Sequence, residues 1–156
     1  MESRTVDDSR VQMTEIVLPA DTNDKGSVFG GRILALIDKC AGIAAMRHSN
    51  SVCVTASVDS VAFLNPVRVG DVVSLTGILT AAFSTSMEIK VEVWSENPIA
   101  RTRQLTTTAY VTMVAVDGNF KPRSCAPLEA RNDVERDRAA RANERRRQRL
   151  DSRIRA

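Results

Sequence analysis

Aromatic side chains are scarce in this chain, at 4% of 156 residues against 43% hydrophobic residues in all, so its core must be built from valine, alanine, leucine and isoleucine. Such a core suits a soluble globular protein whose backbones approach closely. The three cysteines, Cys40, Cys53 and Cys125, are odd in number and far apart. That spacing excludes a disulfide framework and a CxxC metal site and leaves three reduced or buried thiols. No stretch approaches the ~20 apolar residues needed to span a bilayer, and the opening "MESRTVDDSR" has no apolar run that would serve as a signal peptide, so the expected location is the cytoplasm, with no membrane partner. The single histidine, His48, has no nucleophile elbow around it, which argues against a Ser-His-Asp triad. Its place at a helix C-terminus suggests a favourable interaction with the helix dipole.

What is present amounts to one domain's worth of sequence with an added tail. Residues 1–128 carry 12 Lys+Arg against 13 Asp+Glu, whereas residues 129–156 carry 10 Arg against 6 acids, so the basic character of the chain resides in its end. "EARNDVERDRAARANERRRQRLDSRIRA" has few large apolar residues and dense opposite charges. Asp137 and Arg141 stand at i, i+4, which suits a solvated helix or a mobile segment rather than a core element.

In residues 1–128 the pattern is that of one helix and several strands. "VQMTEIVL" (11–18) is rich enough in β-branched and apolar residues for a strand, and a loop with Pro, Asp, Asn and Gly turn chemistry follows to residue 29. From Gly30 to His48, Ile33, Leu34, Ile37, Ala41, Ala44 and Ala45 recur at helical spacing. The inward face is small, with Ala35, Ala41, Gly42, Ala44 and Ala45, and would let a sheet come near. Strands are then expected over 52–64, 72–83, 86–94 and 103–117. In 86–94, Met87, Ile89, Val91 and Val93 alternate with Ser86, Glu88, Lys90, Glu92 and Trp94, a buried face against a wetter one. Helices are not interleaved with strands, so the class is α+β: an antiparallel sheet of five to six strands wrapped round one long central helix.

Chemistry concentrates in "NDKGSVFGGRILALID" (23–38). A helix that begins near Gly30 or Gly31 presents unpaired backbone N–H groups at the positive end of its dipole, ready for an anion or a developing oxyanion. Two turns further along the same face is Asp38, a carboxylate within an otherwise apolar run, which costs burial energy unless something uses it.

That run, followed by "VTASVDSVAFLNPVRVGD", "STSMEIKVEVWSENP" and "TTTAYVTMVAVD", resembles the hot-dog-fold acyl-CoA thioesterases, in particular the brain-type acyl-CoA hydrolases and the bacterial short-to-medium-chain hydrolases, over residues 11–128. The resemblance implies a hot-dog fold, two protomers pairing into one continuous sheet with active sites between them, and a trimer of such dimers as the homo-oligomer. It implies acyl-CoA as substrate, with Asp38 as general base or nucleophile and Asn23 as its assistant. Coenzyme A is then part of the substrate and no separate cofactor or metal is expected.

On that reading the thioester carbonyl points at the helix N-terminus, with Phe29, Gly30 and Gly31 forming the oxyanion and substrate-binding turn. Asp38 either draws a proton from water or attacks to give a mixed anhydride. Asn23 offers both a donor amide and an acceptor oxygen to the water or the carbonyl. A thiolate leaves readily, so no strong general acid is needed. Thr55, Ser57, Ser84 and Ser86 are polar strand residues placed to edge the pantetheine groove. Arg68, Lys90, Arg101 and Arg103, with Lys121, Arg123 and tail arginines, are candidates for the phosphates of coenzyme A. "AAFSTS" departs from the family pattern, which has a glycine before the Ser/Thr pair, and this narrows the groove at Phe83. A non-catalytic acyl-CoA-binding regulator is the alternative function, but binding alone gains nothing from a carboxylate beside a polyanion. Nucleic acid is not an expected partner, because the tail has six acids and no interleaved aromatics.

Overall fold

The computed structural model describes residues 1–155. Five strands form one antiparallel sheet: β2 (Val11–Ile16), β3 (Val52–Val58), β4 (Val72–Ala82), β5 (Ser86–Asn97) and β6 (Thr102–Val116), in the spatial order β2-β4-β5-β6-β3. Inside its curl lies α2 (Gly30–Ser49), and against its outer side lies α3 (Asp133–Arg155). The hot-dog, α+β expectation is therefore met. Among the described residues no helix is long and apolar enough to cross a membrane.

The inner face is a dry contact between a sheet and a helix. Met87, Ile89, Val91 and Val93 of β5 and Ala109, Val111 and Ala115 of β6 are fully buried. They meet Ile33, Leu36, Ile37, Cys40, Ala41, Ala44 and Ala45 of α2. Small residues set the separation: a Cβ added at Gly77 of β4 would stand 2.8 Å from Cys40 Sγ, so the helix rests on glycine there. One member of the expected apolar stripe and one of the expected small inward face turn away. Leu34 and Ala35 are exposed, while Leu36 and Cys40 are buried in their place. At 100° per residue the stripe drifts round the helix, and the sheet selects the 33-36-37-40-41-44-45 face.

Other differences are local. The strand expected over 52–64 stops at Val58, and the chain beyond it keeps only separate ties to β6, Asp59 N–H to Tyr110 O and Leu64 N–H to Thr106 O. The opening residues, which carried no expectation of structure, form β1 (Arg4–Thr5), paired in parallel with β7 (Leu128–Glu129), and a single turn α1 (Val6–Ser9). Thr5 caps that turn, its hydroxyl accepting from the Asp8 N–H while the Asp8 carboxylate accepts from the Thr5 N–H.

The charged tail is a helix, as its i, i+4 pairs suggested, but it is not merely solvated. Ala142 is fully buried. Glu88, assigned by alternation to the wetter face of β5, is fully buried too. Its carboxylate accepts from Arg145 at 2.7 Å, from Arg149 at 3.1 Å and from the Thr80 hydroxyl at 2.7 Å. Arg149 also donates to Asp59 at 2.9 Å, and the Arg145 guanidinium lies 3.8 Å from the centre of the Tyr110 ring. Buried carboxylate and guanidinium side chains are tolerated when paired and hydrogen-bonded in this way.

Candidate active site

The loop ahead of α2 is built by Asn23. Its Oδ1 accepts from the backbone N–H groups of Lys25 and Ser27, at 2.9 and 3.2 Å, and its own N–H donates to Ser27 O. Gly26 takes the positive φ of 75° that closes this turn. The side-chain oxygen is thereby used up, so of the two functions expected of Asn23 only the amide N–H₂ remains for a ligand. Ser27 then bridges Arg68, and Val28 N–H donates to Val67 O, which ties the loop to residues 67–68.

Arg32 fixes the first turn of α2, donating to Glu15 of β2 at 2.7 Å and to Asp21 at 3.1 Å. Arg32 and Ile33 N–H groups point back to Phe29 O. The N–H groups of Gly30 and Gly31 lie at the helix end, where donors start without intrahelical acceptors. A Cβ at Gly30 would meet the Phe63 ring at 3.3 Å, whereas at Gly31 it would meet nothing within 4 Å. Gly31 therefore faces open space, beside Phe29, which is 54% exposed.

Asp38 lies further along this open side of α2 and is exposed in the single chain. The Thr55 hydroxyl donates to its Oδ1 at 2.6 Å. That bond fixes one oxygen and leaves the other free to accept a proton. Sequence pattern suggests only a groove-edge role for Thr55; its contact with Asp38 joins strand to helix across 17 residues and has no signature in the local pattern.

The four polar strand residues do not share one groove within a chain. Thr55 pairs with Met113 on the inner side of the sheet, but a bulge between Thr55 and Ser57 sets Ser57 opposite Thr112, on the outer side with Ser86 and Glu88. Ser84 is exposed in the β4–β5 turn. The basic candidates also scatter. Arg68 adjoins the Asn23 loop. Lys90 is on the outer face, paired with Glu92. Arg101 and Arg103 belong to the β5–β6 hairpin, Arg103 lying 4.3 Å from the Trp94 ring centre. Arg123 is beside His48 at the far end of α2.

His48 is fully buried, its Nε2–H donating to Ala126 O at 2.9 Å. Burial holds its pKa below the ordinary 6.5, with the nearby Arg4 cation acting in the same direction. The ring is thus neutral and takes no part as a cation in the helix dipole; desolvation outweighs that attraction. The thiols are free, and burial raises Cys40 to about 11.

Comparison with known proteins agrees with this architecture. Residues 25–100 match the model of the Thioesterase superfamily. An uncharacterized acyl-CoA thioester hydrolase of Bacillus subtilis is 41% identical over 78% of this chain and 70% of its own length. Mouse acyl-coenzyme A thioesterase 11 is 36% identical over 91% of this chain, which spans only 24% of that longer protein. Among solved structures, a hexameric acyl-CoA thioesterase superposes with a TM-score of 0.93 at 42% identity, covering 97% of both chains. The acyl-CoA hydrolase of Staphylococcus aureus, solved with butyryl coenzyme A and coenzyme A, has a TM-score of 0.89 at 33% identity, covering 97% of this chain and 93% of its own. That hydrolase has also been solved with an aspartate, an asparagine or a threonine replaced by alanine, and the three stand at the same separations along its chain as Asn23, Asp38 and Thr55 do here. The chain belongs to the hot-dog acyl-CoA thioester hydrolases of the Thioesterase superfamily.

Proposed function

We propose that this protein hydrolyses acyl-CoA thioesters to fatty acid and coenzyme A, in a homo-oligomer whose active sites are shared between protomers. The observation that carries the reading is the exposed Asp38 carboxylate, held through one oxygen by Thr55 on the open side of the central helix. The Gly30–Gly31 turn supplies N–H donors for the carbonyl oxygen. Asp38 takes a proton from water through its free oxygen as that water attacks the carbonyl carbon, and the developing oxyanion is held at a helix N-terminus. Collapse of the tetrahedral intermediate breaks the C–S bond and expels the thiolate of coenzyme A. The Asn23 amide donates to the water or to the carbonyl.

Helix geometry supports the sharing. Two turns of helix separate Gly31 from Asp38 by about 10 Å along the axis, too far for both to touch one carbonyl group. The Asp38 of one protomer facing the loop and glycine turn of a second protomer removes that mismatch. The sheet edge beside Asp38 fits such a partner: Val52, Val54 and Val58 of edge strand β3 are exposed, as are Leu34 and Met46 of α2 and Phe63. A trimer of such dimers is the proposed complete assembly, the hexameric relative being of the same fold.

The test is thiol release from acyl-CoAs of acetyl to palmitoyl length by wild type and by Asp38→Ala, with melting curves to establish folding. Turnover by wild type and a loss of about a hundredfold or more in the folded variant is the expected result, the scale of a lost general base. Binding of acyl-CoA without thiol release by wild type would make the protein a sensor instead. Sharing has its own readout: co-expressed Asp38→Ala and Asn23→Ala chains should regain activity in mixed oligomers that neither has alone.

A further inference from the structure

The two glycines that open α2 serve different neighbours. At Gly31 an added Cβ would meet nothing within 4 Å, whereas at Gly30 it would stand 3.3 Å from Cε2 and 3.4 Å from Cζ of the Phe63 ring. Gly31 leaves room for a ligand, and Gly30 leaves room for that ring. A side chain from beyond β3 thus lies against the first turn of the helix, where the N–H donors of the proposed site are.

The backbone on either side of Phe63 is tied to β6. The Thr107 hydroxyl donates to Ala62 O at 2.7 Å, and Leu64 N–H donates to Thr106 O at 2.8 Å. Asn65 Nδ2 donates to Leu105 O at 2.7 Å. Asp59, at the start of the segment, is held by Tyr110 O through its N–H and by Arg149 through its carboxylate. With the chain fixed at these points, the ring is a wall of the site rather than a movable lid. Part of it covers Gly30, yet Phe63 keeps 47% of its surface exposed.

Exposed aromatic surface beside hydrogen-bond donors suits a substrate that joins a polar carbonyl to an apolar chain. A carbonyl oxygen accepting from this turn at about 2.9 Å brings the first acyl carbons to the ring. The other arm of the thioester, the pantetheine, carries amides and gains less from an aromatic wall. We propose that Phe63 is a specificity-determining residue, its ring packing against the first carbons of the acyl chain beyond the carbonyl. The proposal rests on the acyl-CoA reading above and names the side chain that reads the acyl group.

The experiment compares kcat/KM for acyl-CoAs of acetyl to palmitoyl length in wild type, Phe63→Ala and Phe63→Leu. Melting curves establish folding, and light scattering after size exclusion establishes the assembly. The ratio of hexanoyl-CoA to acetyl-CoA is expected to fall about tenfold or more in Phe63→Ala and by less in Phe63→Leu, because acetyl has no carbon beyond its methyl to lose the contact. The proposal is overturned if the ratio in both folded variants stays as in wild type or rises, whatever happens to the overall rate, since a ring serving the pantetheine arm moves all substrates together. Dissociation of both variants overturns it too, making Phe63 a contact between protomers. If wild type releases thiol from none of the panel, the hydrolase reading fails and this inference with it; wild-type turnover with an unaltered ratio in the variants is a failure of this inference alone.

Discussion

The two faces of the sheet hold their helices by opposite physics. On the inner face α2 is seated by small apolar residues, with Ala41, Ala44 and Ala45 fully buried and Gly77 letting Cys40 approach. On the outer face α3 has almost no apolar surface to bury and is held instead by Glu88 reaching two arginines. The first contact derives its strength from dehydration and close packing, and tolerates no added volume. The second depends on complete pairing, since a buried charge without its partner costs more than the pair contributes. The difference also separates the chemistry: the inner side carries one exposed carboxylate at its rim, the outer side a cluster of cations.

The comparison breaks most readily at Glu88. Glu88→Ala leaves Arg145 without its acceptor and Arg149 with Asp59 alone, and a loss of about 3–5 kcal/mol is expected in urea unfolding. Replacing Glu88, Arg145 and Arg149 together by apolar residues of similar volume should recover much of that loss, because the penalty lies in the unpaired charges. On the inner face, Gly77→Ala forces a Cβ to within 2.8 Å of Cys40 Sγ, with the Cys40 carbonyl oxygen at 3.5 Å, so α2 must shift. Its expected cost is about 1–3 kcal/mol by the same measurement. Gly118→Ala, where a Cβ meets nothing within 4 Å, is the control and should change stability by less than about 0.5 kcal/mol.

The smallest effect is a pH dependence centred on His48. The folded chain keeps this ring neutral, whereas the unfolded chain takes a proton below about 6.5. Unfolding then takes up a proton, so this group's contribution lowers stability as pH falls through that value and has no effect well above it. His48→Gln should flatten the decline in melting temperature between pH 7 and pH 5.

Much of the candidate site was legible because its signals are local. The Asn-Gly loop, the glycine pair and the carboxylate two turns later lie within one short run, and each acts through backbone geometry that neighbouring residues set. Alternation along β5 identified Met87, Ile89, Val91 and Val93, all fully buried. The same alternation misplaced Glu88, since whether an outward residue meets water depends on what lies above it, and α3 comes from residues 45 or more positions downstream. Thr5 and Asp8 had the spacing of a capping box, a local signal within a polar opening that carried no strand pattern.

The sequence by itself determined the class of fold, the central helix, the alternating strands and the aspartate with its preceding loop, because periodicity, turn chemistry and dipole act over a few residues. Only the tertiary structure decided the rest. It set Thr55 on Asp38, used the bulge after Thr55 to carry Ser57 to the other face, left Asn23 with its amide alone, held His48 neutral and buried Glu88 under the arginines of α3. Each of these is fixed by which distant segment covers or touches a residue, and burial and long-range contact leave no trace in local spacing.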